Sequence, residues 1–201
     1  MLLLSLDTAS TTLSLALLEG DNVLAKFDET MIRGQAERLI PEIQNLFQKA
    51  NREIKDLSAV AVGVGPGSFT GVRVALATAR GFALALEVPV YGVSSLEAYA
   101  YGAGGDVLVA LDTKRGDFYV AGFDKDLNEV FAPRIMTMEE IKILNPKLIA
   151  SDVPDVFETE GFKVRKNDFS LSEQVAKIAL SRGENNLPAE PCYLRDADVT
   201  V

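Results

Sequence analysis

The chain has no histidine and no tryptophan, and its only cysteine is Cys192. Without histidine it lacks the most common general base and metal ligand, and every Ser-His or Cys-His nucleophile pair. A single cysteine excludes an intramolecular disulfide and any cysteine-based zinc cluster. Its position between Pro191 and Tyr193 suits packing better than reactivity. Positive charge is also scarce: 20 Lys and Arg against 29 Asp and Glu leave a net charge of −9. Phosphate backbones are held largely by clustered Lys and Arg, so autonomous nucleic-acid binding is not expected and a partner should supply the positive surface. No run reaches the roughly 18 uninterrupted apolar residues of a membrane span; the nearest, 72–86, contains Arg73 and Arg80. The opening "MLLLSLDTAS" lacks a basic start and is broken at Asp7, unlike a signal peptide. These absences together predict a cytoplasmic chain with no membrane contact.

What is present is ordinary globular material. With 201 residues, 48% of them hydrophobic, the chain can form one large domain or two small lobes around a real core. "LLLSLD" (2–7), "TLSLALLEG" and "VLAKFDE" read as three consecutive strands joined by tight turns. From Ala36 the apolar positions Leu39, Ile40, Ile43, Leu46, Phe47 and Ala50 follow helical spacing, with Pro41 a kink or the first regular turn. A buried strand at 57–64, an apolar helix at 71–86, a strand at 88–93 and a short helix capped by Ser94 or Ser95 come next. The glycine-rich "YGAGGD" (101–106) predicts a boundary, with a first lobe at 1–103, a smaller one at 104–190 and a tail at 191–201. After it the opening grammar returns: "LLSLDT" (3–8) is echoed by "LVALDT" (108–113), each followed by a turn, an apolar strand, an acidic turn and a third strand. Helices near 137–143 and 171–182 and a strand at 147–150 complete the second half. The reading is two α/β lobes built on a duplicated three-stranded turn, the second reduced.

The loop Gly65–Gly71, "GPGSFTG", joins a strand to a helix. It is neither a Walker A motif nor a dinucleotide fingerprint. It does hold the ingredients of an anion site: Gly65, Gly67 and Gly71, the Ser68 and Thr70 hydroxyls, and the N–H groups of a helix start. A tight turn in which glycines permit close packing reads equally well. The helix after it is apolar nearly all round, with Ala77, Gly81 and Ala85 in a row of small residues and Arg73 and Arg80 on one side. It is expected to bury one face in its own lobe and offer the other to a neighbour. Asp7 and Asp112 could hold magnesium as a carboxylate pair, or each could close a strand-end turn. For Asp112, in "DTKRGDFY", the turn is favoured.

Five segments carry a resemblance: "LSLDTASTTLSLAL", "GQAERLIPEIQNLF", "GVGPGSFTGVRVALATARGFALAL", "LDTKRGDFYVAGF" and "PCYLRD". Together they are similar to the bacterial TsaB (YeaZ) family, in the family's order and across nearly the whole chain. The resemblance implies an actin-like, sugar-kinase-like (ASKHA) fold. It also implies a non-catalytic paralogue of TsaD that pairs with TsaD and the ATPase TsaE. That assembly makes threonylcarbamoyladenosine in tRNAs reading ANN codons, and TsaD transfers the threonylcarbamoyl group. Gln35 stands where TsaD's first metal-binding histidine would fall, and an amide is a poor ligand, so no metal site is implied. The family's mode of pairing implies that helices 36–50 and 71–86 form the partner interface, through Leu39, Ile43, Phe47, Arg73, Leu76, Ala77, Arg80, Gly81 and Leu84. The same surface is implied to self-associate into a homodimer when TsaD is missing, and tRNA contact is expected to be indirect.

On this reading Asp7, Gly65, Gly67, Ser68, Thr70 and Gly71 form at most a vestigial or shared nucleotide site. The chain has no cofactor of its own, and whether a nucleotide occupies the interface with TsaD stays open. The alternative is an ASKHA-type ATP-dependent phosphotransferase or ATPase using Asp7 and the glycine loop.

Overall fold

The computed structural model describes residues 1–31, 33–166 and 168–195; the end of the proline-marked tail, 196–201, lies outside them. In chain order the elements are β1 (Leu2–Asp7), β2 (Thr12–Glu19), β3 (Asn22–Thr30), α1 (Gln35–Ala50), β4 (Ala59–Gly63), α2 (Phe69–Leu86), β5 (Val90–Val93) and α3 (Ser95–Ala100). Then follow β6 (Val107–Asp112), β7 (Phe118–Phe123), β8 (Glu129–Met136), α4 (Met138–Leu144), β9 (Ile149–Ala150), α5 (Pro154–Thr159) and α6 (Leu171–Arg182).

The first unit comprises Met1–Ser95 and Phe169–Cys192. Its five-stranded sheet has the order β3-β2-β1-β4-β5, with β1, β2 and β3 antiparallel and β4 and β5 parallel to β1. Central β1 is buried on both faces, which is why it reads as an almost unbroken apolar run. Leu4 and Leu6 face α1 and α2, whose Leu39, Ile43, Phe47, Val72 and Leu76 complete that core. α1 begins at Gln35 and runs through Pro41, so Pro41 does not mark its first turn. Both Pro41 and Glu37, whose carbonyl loses its helical donor, are exposed, and water can take the missing partner's place.

The opposite face of the sheet is covered by α6. Ser14 on β2 donates to Asp28 Oδ1 at 2.6 Å and accepts from the Ser172 backbone N–H at 2.9 Å, and its hydroxyl lies 2.9 Å from that of Ser172. Ser170 also donates to Asp28. This cluster seats the first turn of α6, while Leu171, Val175, Ile178 and Ala179 are buried along the helix. A first lobe at 1–103 and a second at 104–190 is therefore corrected: residues 169–190 belong with the first sheet, because α6 supplies the layer that closes it.

The second unit, Leu96–Asp168 with Tyr193 to Arg195, holds a four-stranded sheet of order β8-β7-β6-β9. β6, β7 and β8 are antiparallel and β9 is parallel to β6, repeating the β3-β2-β1-β4 arrangement without a fifth strand among the described residues. The repeat legible in "LDT" is thus a repeat of topology. Its core gathers Leu108, Val120, Ile141 and Ile149 around Phe157, whose ring centroid lies 4.8 Å from that of Phe118.

Candidate functional site

The loop after β4 is packed, residue by residue, against the turn after β1. A Cβ at Gly67 would meet the Ala9 carbonyl oxygen at 2.3 Å, and one at Gly71 would meet that of Thr8 at 1.9 Å. Gly65 adopts φ +88, a left-handed conformation that glycine tolerates best. The Ser68 N–H donates to the Ala9 carbonyl at 2.6 Å, and the Gly71 N–H donates to the Ser68 hydroxyl at 3.2 Å. The Val72 N–H is taken by the Ser68 carbonyl at 2.9 Å. Ser68 is therefore the N-cap of α2, and the Ser68 and Gly71 N–H groups are engaged within the fold. The Thr70 side chain is exposed and borders this cluster without joining it.

Asp7 lies beneath the same turn and is fully buried. Its Oδ1 accepts from the Ala9 N–H at 2.9 Å, while Oδ2 has no hydrogen-bond partner among the described residues. Burial raises its pKa to about 6, partly offset by the Ala9 N–H and the nearby Ser95 hydroxyl. That hydroxyl is close enough to favour the charged form but not placed to make a hydrogen bond. Enclosed and with one oxygen engaged by backbone, this carboxylate has only Oδ2 left uncommitted.

Asp112 follows the strand-end reading. Its Oδ1 accepts from the Lys114 N–H at 2.6 Å and its Oδ2 from Lys114 Nζ at 2.9 Å. Nearby, burial acts to raise the Asp117 carboxyl, but the Thr113 hydroxyl and Arg195 guanidinium outweigh it and hold it below the usual range. Gln35 is likewise structural: its Nε2 donates to the Ser10 carbonyl at 3.0 Å, tying the start of α1 to the β1–β2 turn. No group of three or more His, Cys, Asp or Glu placed to hold a metal occurs among the described residues.

The outward face of α2 is a different kind of surface. Val72, Ala75, Leu76 and Ala79 lie on the sheet, which makes this apolar helix a core helix despite its span-like length. Arg73, Ala77, Arg80, Gly81, Leu84 and Ala85 point outward. Leu84 is 84% exposed, and a Cβ on Gly81 would meet nothing within 4 Å. The guanidinium of Arg73 stacks on Phe69, 3.7 Å from the ring centroid. On α1 the expected interface residues Leu39, Ile43 and Phe47 are buried, as is Leu76 on α2. These four have almost no area to offer a partner and are corrected to core positions; they form the inner stripe of each helix.

Two features of this surface were not singled out in the sequence. Ile40 is 45% exposed. Arg38 reaches Glu29 on β3, and Ile40, about 200° further round the helix, falls on the opposite flank. Its one-residue offset from the Leu39–Ile43–Phe47 stripe was the available signal. The second is the segment before Cys192, which contacts Arg80 through the Ala189 carbonyl. No periodicity in "NNLPAEPC" announced it.

A doubled β-sheet core with helices returning to the first sheet places the chain among actin-like ASKHA proteins, α/β in class. The ethanolamine utilization protein EutJ of Carboxydothermus hydrogenoformans, at 13% identity and a TM-score of 0.50 over 89% of this chain and 88% of that one, shares the fold alone. The family model for TsaD, tRNA N6-adenosine threonylcarbamoyltransferase, matches residues 23–187. The Escherichia coli tRNA threonylcarbamoyladenosine biosynthesis protein TsaB is 35% identical over 98% of this chain and 95% of its own length. The Bacillus subtilis protein of the same description is 31% identical over 81% of this chain and 79% of its own. YeaZ from Pseudomonas aeruginosa superposes with a TM-score of 0.79 at 26% identity, covering 96% of this chain and 99% of that structure. The chain belongs to the TsaB (YeaZ) family, and it is a TsaB-type protein of tRNA threonylcarbamoyladenosine biosynthesis.

Proposed function

We propose that the chain is a non-catalytic, cytoplasmic subunit that activates TsaD by pairing with it through the outward face of α2 and the adjoining flank of α1. Threonylcarbamoyl transfer to the adenine N6 of tRNAs reading ANN codons is then the work of TsaD, with TsaE joining the assembly. The observation that carries this reading is the composition of that face: Ala77, Gly81, Leu84 and Ala85, small or apolar and turned outward on a helix already seated by its other side. Small residues let a partner helix approach closely, and an apolar surface of this kind favours association. The acidic chain leaves tRNA contact to the partner.

The absence of histidine, the engaged loop donors and the enclosed Asp7 support a subunit without chemistry or a cofactor of its own. The phosphotransferase alternative needs Asp7 and the glycine loop to face a nucleotide, and no observed contact favours it. Self-pairing through the same face is expected when TsaD is absent. Size-exclusion chromatography with light scattering, on the chain alone and mixed with TsaD from the same organism, tests the proposal. A monomer or homodimer that converts to a discrete complex supports it. No complex at micromolar concentration overturns it, and ATP turnover by the isolated chain, lost in Asp7→Asn, would install the alternative.

A further inference from the structure

Arg80 lies on the outward face of α2, yet its guanidinium is not simply directed at solvent. It donates to the main-chain carbonyl of Ala189, in the segment that ends the first unit. That segment is docked on either side of the contact. The Gly92 N–H donates to the Leu187 carbonyl at 2.9 Å, and the Cys192 N–H donates to the Val64 carbonyl at 2.8 Å. A Cβ on Gly92 would meet the Pro188 carbonyl oxygen at 2.4 Å, so strap and strand lie in backbone contact. Between these anchors the Glu190 N–H closes back onto the Pro188 carbonyl at 2.8 Å. This i to i+2 turn leaves the central Ala189 carbonyl for Arg80 while the Ala189 side chain enters the core. Pro188, Glu190 and Pro191 are exposed, as is Leu187.

We infer that Arg80 is a positioning residue that latches the strap Leu187–Cys192 beside α2, so that strap and helix together form the surface the partner meets. The inference rests on the reading that α2 faces TsaD. On the helix, Arg80 is flanked by Ala77, Gly81 and Leu84, and its guanidinium spans from this face to the strap. The acceptor is a carbonyl with no net charge, so the latch acts by hydrogen bonding and place. An arginine placed among the interface residues is thus committed to the chain's own backbone. What it offers the partner is the exposed edge it holds in register, with Leu187, Pro188 and Pro191 on it. Arginine suits this because its planar fork reaches a carbonyl from an exposed helix position with little loss of freedom per bond.

The test uses the full chain as wild type, Arg80→Ala, Arg80→Lys and Leu84→Glu, with amide hydrogen exchange by NMR and calorimetry against TsaD at low and high salt. In Arg80→Ala, exchange at the Gly92 and Cys192 amides should accelerate about 10- to 100-fold, as expected for loss of a charge-assisted hydrogen bond. The Val72 amide should not change. Partner affinity should fall about tenfold, equally at both salt concentrations, since no charge pair is lost. Arg80→Lys should recover part of both effects. A loosened strap with unchanged affinity overturns the inference, as does a strap whose exchange is unmoved. A loss of affinity that vanishes at high salt, with the strap unmoved, assigns Arg80 to a direct ion pair instead. In each case an affinity loss in Leu84→Glu leaves the α2 interface standing. If Leu84→Glu binds as tightly as wild type, the interface itself fails.

Discussion

Asp7 occupies the space in which residue 63 would carry a side chain: a Cβ on Gly63 would lie 1.7 Å from Asp7 Oδ2. The glycine at the end of β4 and the aspartate at the end of β1 are thus two halves of one fitted contact. Gly63→Ala should force the carboxylate or the strand to move, destabilising the fold by about 3 kcal/mol or more. Urea denaturation would measure it, and a loss below about 1 kcal/mol would mean that Asp7 swings aside freely.

The same contact sets a dependence on pH. The folded-state pKa of Asp7 is raised from 3.8 to about 6, chiefly by burial. Its contribution to stability is therefore fully present below the unfolded value and is lost as pH rises through about 6. At 1.36 kcal/mol per tenfold change in proton affinity, the total is about 3 kcal/mol. Asp7→Asn keeps an acceptor for the Ala9 N–H and removes the charge. Relative to this variant, wild type should weaken between pH 4 and pH 7, and the variant should be the more stable at pH 7.5. Parallel denaturation curves across that range check the sign; a constant difference would show that Asp7 does not titrate there.

Ser14 should matter far beyond its size. Its hydroxyl accepts the Ser172 N–H and donates to Asp28, so Ser14→Ala leaves a buried donor without that acceptor at the start of α6. A cost of about 1–3 kcal/mol is expected, against under about 0.5 kcal/mol for exposed Thr11→Ala. Thermal melts of the two variants side by side test this.

Gly81 separates stability from association. A side chain there meets nothing within 4 Å, and replacing a helix-interior glycine improves helical propensity by up to about 1 kcal/mol. Gly81→Leu should therefore fold as well as wild type or better. Across a close helix–helix contact it should lower TsaD affinity at least about tenfold, since overpacking costs 1–3 kcal/mol. Calorimetry and a melting curve on one preparation give both answers.

Much of this architecture was legible because it is written in local patterns. The doubled "LDT" grammar announced two sheets of like topology, and the Gly65–Gly71 loop announced a strand-to-helix turn, though not whether its glycines served an anion or close packing. Which face of each helix would be buried was harder to read. On α1 the regular stripe of Leu39, Ile43 and Phe47 marks the core face, so residues expected at an interface are interior, while off-stripe Ile40 reaches the surface. On α2, apolar nearly all round, periodicity groups Leu84 with Arg73 and Arg80 but does not assign Leu76 inward; the placement of β1 and β4 does that. The destination of α6 was also hidden, since its apolar positions fit either sheet. The contact made by Arg80 depends on a backbone carbonyl more than a hundred residues away, which no side-chain pattern encodes.

The return of residues 169–192 to the first sheet has a consequence for how the molecule comes into being. Synthesis delivers β1 to β5 first, yet one face of their sheet stays bare until α6, which follows the whole of the second sheet, leaves the ribosome. The second sheet and its covering helices arrive as one stretch, within 96–168, and can mature while the first is still waiting. The earliest strands made are thus among the last to be closed over. A nascent chain stalled before residue 169 would carry all four strands of the smaller sheet and an open face on the larger one.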